Sequence, residues 1–375
     1  MKNQNNIIKN WWRAVDQQAV IAYSILIIFS CMLVTTTSGA VAEKIGLVSN
    51  YFSSRQVLYL LCGVVLVLIF SSLDRLWIKR IGIIGFIFNI IMLIVVKFYG
   101  YEIKGAIRWV RVFGFSYQPS EFLKPFFIIV TGWLLSLRDK DNFPSFRVCI
   151  VLYAIVAALL LTQPDVGMLI LITAVFAAQM FVAGMPIIWI IMAKLFLIAG
   201  LIGAYFVLPH VTARINNFLN PETNENYQVS KSLLAFEEGG FYGRGPGEGW
   251  VKQHLPDSHT DFIFAAAGEE FGAIICAMII GVFAFIVLSS LIRIRKEQDK
   301  FAQFAAIGLI VQFGLQATIN IGVTLNLLPT KGMTMPFISY GGSSTLAISV
   351  VVGTILCLTK ITHSRDKYKI KVLEV

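Results

Sequence analysis

The sequence predicts an all-α fold, a polytopic membrane bundle of ten transmembrane helices with a large extracytoplasmic loop between helices 7 and 8. Three observations lead there. The 375 residues are 57% hydrophobic and 14% charged, with a mean hydropathy of +0.75, so the chain's natural solvent is lipid. Its apolar residues come in runs close to the ~20 that a helix needs to cross hydrocarbon. Short polar turns separate the runs, except for one polar stretch at about 209–260, too long for a passive connector and expected to fold on the outer surface.

The expected spans are 18–37, 57–73, 81–96, 122–137, 147–162, 166–184, 187–208, 262–291, 303–325 and 342–359. Residues 1–17 then form a cytoplasmic N-terminal segment, 18–359 the membrane domain and 360–375 a basic cytoplasmic tail. An even number of crossings returns both termini to one side. Lys and Arg placement identifies that side: eighteen fall in the segments shared with the termini, twelve in the opposite ones, and Lys194 lies inside the seventh span. The positive-inside rule makes the richer side cytoplasmic. The net charge of +10 therefore needs no nucleic acid, because anionic lipid headgroups beside the inner loops balance most of it. The twelve outer cations require another explanation.

The first segment lacks a small-residue cleavage site after a short apolar core, so it leads into a full span rather than serving as a cleavable signal. Trp11 and Trp12, between Lys9 and Arg13, read as an interfacial anchor. Cys31, Cys62, Cys149, Cys276 and Cys357 lie in or beside apolar spans without a CxxC pair, so neither a disulfide nor a zinc site is expected. Residues 18–96 read as scaffold, with DRLWIKR as a positive inner anchor.

The next outer loop, KGAIRWVRVFGFSYQPSEFLKP (104–125), concentrates Lys104, Arg108, Arg111, Glu121 and Lys124 beside a membrane face. Glu121 and Lys124, three apart at a helix start, meet on one face, where an exposed pair contributes only a few tenths of a kcal/mol. A cavity or a structural ion pair between helices are equal readings. In TQPDVG (162–167), Pro164 ends one helix and Asp165 caps the next, or lines the same cavity.

Within the long loop, YQVSKSLLAF (227–236) has the apolar spacing of a short amphipathic helix lying on the membrane. GGFYGRGPGEG (239–249) lacks the Gly-Lys-Ser/Thr end of a phosphate loop and is broken by Pro246. It reads first as a hinge, and second as backbone N–H groups beside Arg244 offered to a phosphate. LPDSHTDFIFAAAGEE (255–270) then places Asp261 where the loop re-enters an apolar helix. A carboxylate there is either an N-cap, stabilising by about 1 kcal/mol, or a functional group facing a protein cavity. His254 and His259 lack a metal-ligand spacing, and His259 reads as a hydrogen-bonding loop residue. The ninth span carries Gln312, Gln316, Thr318, Asn320, Thr324 and Asn326, a polar face expected to point into the bundle. LLPTKGMTMPFISYGGSS (327–344) adds Lys331 in irregular backbone, which persists at membrane depth only where protein or water satisfies it.

RW followed by QPSEFLK, then QPD, the glycine loop, LP…HTDFIFA…EE.G and PTKG…PFISYGGSS form an ordered motif set. The chain resembles the shape, elongation, division and sporulation (SEDS) proteins over about residues 15–360, and Lys331 within PTKG is similar to the division branch. The resemblance implies a peptidoglycan glycosyltransferase polymerising lipid II at the outer face of the bacterial cytoplasmic membrane. Implied partners are lipid II and nascent lipid-linked glycan, a class B penicillin-binding transpeptidase, other division-machinery membrane proteins and membrane lipids. It maps the essential loop aspartate onto Asp261, and cavity residues onto Arg108, Glu121, Lys124 and Lys331, with Asp165 and Arg244 as further candidates for substrate binding. Asp257 stands where the family often has Glu.

The residues agree with that chemistry. A lipid-linked pyrophosphate sugar supplies energy and leaving group, and outer cations stabilise its developing charge. A good leaving group needs no general acid, unlike the two-carboxylate arrangement of glycosidases. Asp261 is then the base toward the acceptor hydroxyl, or it holds a divalent cation, Mg or Mn, on the pyrophosphate; no cofactor is otherwise expected. A lipid II flippase also wants a cationic hollow, and a non-catalytic division scaffold explains the spans but not Asp261.

Overall fold

Three helices begin where the sequence supplies a side-chain cap. Asp16 accepts from the Ala19 N–H at 3.2 Å, Asp165 from Met168 at 3.3 Å and Asp299 from Phe301 at 3.0 Å, each satisfying an orphan donor of a first turn. The structure, a computed structural model, describes residues 9–103, 106–112, 114–138, 143–207, 212, 216, 227–329 and 332–360. Its helices are α1 (Gln17–Lys44), α2 (Tyr51–Ser72), α3 (Arg75–Tyr99), α4 (Pro119–Ser136), α5 (Ser145–Thr162), α6 (Val166–Val182) and α7 (Ile187–Val207). After the long loop come α8 (Tyr227–Gly239), α9 (Val251–His254), α10 (Ile263–Ile294), α11 (Lys300–Thr324) and α12 (Gly342–Leu358). A helix covers each expected span. By length and composition α1, α2, α3, α5, α10 and α11 can cross a membrane, and α6 and α12 are apolar but shorter.

Burial sorts the helices into centre and periphery. In α11, 61% of the apolar window is buried, against 17% in α2, so α11 is a central peg and α2 turns Val57, Leu58, Leu61 and Val65 outward as a lipid-facing helix does. Small residues let the centre close up. A Cβ on Gly132 of α4 would lie 2.7 Å from the backbone of Ala305 in α11, which sets how near those two helices run.

Long-range bonds sort the turns to opposite ends. Arg75 bonds Glu297 at 2.8 Å and Asp299 at 3.2 Å, Arg293 pairs with Asp16 at 2.5 Å, and Arg138 donates to the Ala183 carbonyl at 2.6 Å. These basic turns share one end of the bundle. At the other end Lys44 bonds the Gln253 carbonyl, Ser30 the Ile338 carbonyl at 3.1 Å, and the Gln118 N–H the Ser343 hydroxyl at 3.1 Å.

The second end holds an element the sequence reading did not anticipate, a three-stranded antiparallel sheet in order β1-β2-β3. Its strands are β1 (Tyr101–Ile103), β2 (Ala106–Val112) and β3 (Phe115–Tyr117), with Tyr101 opposite Trp109 and Val110 opposite Tyr117. Tyr117 fastens the sheet to the helices by stacking on Phe122 at 5.1 Å and donating to the Asn89 side chain at 2.6 Å.

Helix α8 confirms the expected amphipathic segment but not its resting place. Its buried face, Val229, Ser232, Ala235 and Gly239, packs on α10 and Ser232 donates to the Thr324 carbonyl at 2.7 Å, so protein rather than lipid receives it. Leu233, expected on the apolar face, is exposed.

Candidate active site

Asp261 is half-buried in the turn before α10. Asp257, in the left-handed region at φ 57°, starts that turn, and its carbonyl accepts from Thr260 at 3.0 Å and Phe262 at 3.2 Å. The N-cap position of α10 belongs to Phe262, one residue later, so the capping position is not Asp261's. The Asp261 carboxylate faces Gly332: a Cβ there would stand 3.4 Å from Oδ2. Lys331, the neighbouring residue in sequence, lies outside the described residues.

Residues 332–341 run without helix between α11 and α12, and side chains satisfy their backbone, as irregular backbone among membrane helices requires. Asn320 donates to the Met333 carbonyl at 2.7 Å and to the Asp261 carbonyl at 2.9 Å. One turn earlier Gln316 donates to the Thr334 carbonyl at 3.0 Å. Ser339 donates to the Thr260 carbonyl at 2.6 Å, and the Tyr340 N–H to that of His259 at 2.9 Å. Gln56, from a hairpin read as scaffold, donates to the Ser339 carbonyl at 3.2 Å. Gln56 ends the polar stretch SSRQ just before the apolar run 57–73, so its surroundings gave no signal. His259 also lies 4.7 Å from the Phe52 ring and 5.5 Å from Tyr340, so it packs as well as bonds.

Glu121 and Lys124 are buried together at the start of α4. The Lys124 ammonium donates to Glu121 Oε2 at 2.8 Å and to Gln316 Oε1 at 3.1 Å, and Lys124 is only 1% exposed. Removing one member of such a pair costs about 3–5 kcal/mol, so both ions must persist together. Arg108, on β2, donates to the carbonyls of Gln163 at 3.2 Å and Pro164 at 2.7 Å and stands 3.6 Å from Asp165 Oδ1. It thereby clamps the sheet onto the turn between α5 and α6. Burial pushes the Asp165 carboxyl above its ordinary range, Arg108 pulls it back, and Glu121 and Lys124 act on it more weakly. These four predicted residues thus form one electrostatic group, with Asp165 also serving as a cap.

Arg244 stands apart, paired with Glu238 of its own loop. The glycine loop is neither hinge nor phosphate cradle, because its backbone repairs a break in α10. Gly272 takes φ 76° and ψ 178°, which removes two helix bonds. The carbonyls of Glu269 and Glu270 then accept from Arg244 and Gly245, both at 3.0 Å. The freed N–H groups of Ala273 and Ile274 donate to Gly240 at 2.9 Å and Phe241 at 3.3 Å. The sequence reading quoted the paired glutamates without assigning them work. Glu269 accepts from the N–H groups of Val251 at 2.7 Å and Lys252 at 2.8 Å, seating α9, while Glu270 forms a fully buried ion pair with Lys252.

Gln312, Gln316, Asn320 and Thr324 form a buried stripe on α11, as expected. Thr318 does not belong to it, being exposed, and Asn326 lies beyond the helix end. No three His, Cys, Asp or Glu residues among those described form a metal-ligand set, so the described residues do not compose a protein-held divalent site around Asp261.

Long apolar helices around a polar end with a half-buried carboxylate and buried ion pairs define a multi-pass membrane protein with an embedded polar site. Residues 17–365 match the profile of the cell cycle protein family that groups FtsW, RodA and SpoVE. The chain belongs to this family, the one its motifs resemble. It is 42% identical over 352 residues to the probable peptidoglycan glycosyltransferase FtsW of Caulobacter vibrioides, covering 93% of this chain and 90% of that one. It is 35% identical over 368 residues to the protein of the same name from Trichlorobacter lovleyi, covering 93% and 95%. Both carry the division-branch name expected from PTKG. Among solved structures, a chain from work on a peptidoglycan synthase complex coordinating polymerization and crosslinking aligns with a TM-score of 0.76 at 23% identity, over 96% of this chain and all of that one. The rod shape determining protein RodA of Thermus thermophilus aligns with a TM-score of 0.68 at 21% identity, over 95% and 99%. These likenesses establish the same fold.

Proposed function

We propose that the chain is a peptidoglycan glycosyltransferase that polymerises lipid II into glycan strands during cell division, with Asp261 as general base. The family and the names of its relatives support the activity. The observation that carries the residue assignment is Asp261 held at a helix entrance, its backbone bound by Asn320 and its carboxylate on the side of Gly332, with the N-cap position taken by Phe262.

The acceptor sugar hydroxyl attacks the anomeric carbon of the donor, the bond to the lipid pyrophosphate breaks, and Asp261 takes the hydroxyl proton. Arg108, whose side chain is 22% exposed, stabilises the departing pyrophosphate, a role shared by Lys331 in the family resemblance. Glu121, Lys124 and Asp165 form the charged wall behind it, and Arg244 lies at the rim. An ordinary Asp titrates near 3.9, so exclusion of water by substrate must strengthen this base.

The active end lies outside the bacterial cytoplasmic membrane, with ten crossings and both termini inside. The eighteen cations of the inner segments support this orientation. An impermeant thiol probe should reach a cysteine placed at Tyr242 from outside and one at Gln298 only from inside; the reverse pattern would overturn the topology. The protein works with a class B penicillin-binding transpeptidase among other division-machinery membrane proteins, surrounded by anionic lipid and acting at the septum. Purified together with that transpeptidase, it is expected to convert labelled lipid II into strands resolved on a gel. Lipid II translocation in proteoliposomes without any strand synthesis would instead establish a flippase.

A further inference from the structure

We propose that Gln316 and Asn320 are positioning residues that tie Asp261 and residues 332–341 to the Glu121–Lys124 ion pair, so that the ion pair acts on the reaction through two amides. The inference rests on Asp261 being the reacting carboxylate.

The polarity of each amide is fixed by its partners. Gln316 Oε1 accepts from the Lys124 ammonium at 3.1 Å, so its Nε2 must face the other way, and there it donates to the Thr334 carbonyl at 3.0 Å. A flipped amide would set NH2 against an ammonium and oxygen against a carbonyl, both repulsive. The charge on Lys124 therefore determines which group Gln316 offers to the backbone at Thr334. Lys124 is in turn held by Glu121 at 2.8 Å and sealed from water.

Asn320 stands one helical turn further, at the spacing that places both amides on one face of α11. Its Nδ2 has two hydrogens and directs them to two carbonyls, Met333 at 2.7 Å and Asp261 at 2.9 Å. That one nitrogen joins the segment after α11 to the turn before α10. Ser339 makes a second seam between the same two segments, donating to Thr260 at 2.6 Å. The position of the Asp261 backbone is thus set from the side by α11, while α10 begins only at Ile263.

A link of this kind is worth most when the reacting geometry is tight, since a misplacement of about 1 Å can cost roughly 100-fold in rate. The same face supplies its own control. Gln312 is equally buried on α11, yet neither end of its amide has a hydrogen-bond partner among the described residues. It shares the stripe but not the link.

The test compares Asn320→Leu, Gln316→Glu and Gln312→Leu in the full chain with its transpeptidase. Leu at 320 removes both hydrogens at similar volume. Glu at 316 keeps an acceptor for Lys124 and loses the donor to Thr334. Strand synthesis should show kcat reduced by roughly 100-fold in Asn320→Leu, with a smaller fall in Gln316→Glu and KM little changed in both. Gln312→Leu should match the parent protein. Hydrogen exchange should quicken at the amides of Ser339 and Tyr340 in the first two variants only, while the amides in the middle of α11 stay protected. Combining Gln316→Met with Lys124→Met should lose no more activity than Lys124→Met alone, because both cut one relay.

Parental kcat in Asn320→Leu, unchanged exchange at residues 332–341, or a loss that only follows a lowered melting temperature would each overturn the positioning role. A parent protein that makes no strands would overturn the enzymatic reading instead, and the exchange measurement would still decide whether the amides hold that segment.

Discussion

Asp261→Asn is expected to give a folded, partner-bound protein that makes no detectable glycan. The substitution keeps the size and one carbonyl-type oxygen, so the Asn320 bond to the backbone at 261 survives and the turn from Asp257 is undisturbed. Since the N-cap position belongs to Phe262, stability should change little. Loss of a general base alone lowers a rate by about 10²- to 10⁴-fold. Strand synthesis should therefore fall by at least about 100-fold, with the melting temperature and co-purification of the transpeptidase unchanged. Strand synthesis at the parental rate would show that another group takes the proton.

Gly272→Ala is expected to have the largest structural effect. At φ 76° and ψ 178° the residue occupies a region essentially reserved for glycine, where a side chain costs about 1–3 kcal/mol. A Cβ would also lie 2.4 Å from Gly243 N and from the Phe241 carbonyl oxygen, both backbone atoms that have no room to yield. Relief requires parting the loop from the helix, which exposes four backbone groups that only this contact satisfies. In an apolar setting each such group costs several kcal/mol. The variant should accumulate poorly and melt well below the parent in detergent, whereas Gly281→Ala, in open space on the same helix, should not. Equal melting temperatures would mean that the break can be closed another way.

The helices and the cap at Asp165 were legible because lipid imposes one rule, that apolar runs must satisfy their own backbone. Their ends were not, since α1 continues to Lys44 and α2 begins at Tyr51, well outside the apolar runs, with protein contacts extending them. The sheet was missed because charge dominated the reading of AIRWVRV, where alternating β-branched and aromatic residues ahead of Gly114 carried a strand signal. Asp261 and the Glu121–Lys124 pair stood out as charges in apolar surroundings. Gln56 did not, and Asn320 was read only as one member of an inward polar face, although each holds backbone from a distant part of the chain, because an amide carries no charge to flag it. The role of the glycine loop was invisible for another reason. Its partners are backbone groups created by the break at Gly272, and no pattern of side chains announces a pairing between main chains thirty residues apart.

That pairing bears on how the outer loop can be exchanged between relatives. Gly239 sits so close to α10 that a Cβ would be 2.0 Å from the Gly268 carbonyl oxygen, and a Cβ on Gly249 would be 2.8 Å from the Glu269 carboxylate. Residues 239–249 and 268–274 therefore form a single structural unit, although one comes from a loop and the other from a helix. A chimera that transplants the loop without its matching helical segment leaves the recipient with donors and acceptors out of register. A graft spanning both, from Tyr227 to Ile274, keeps this pairing in register and still has to meet the recipient at Lys44, Thr324 and Asn320, the partners of Gln253, Ser232 and Asp261.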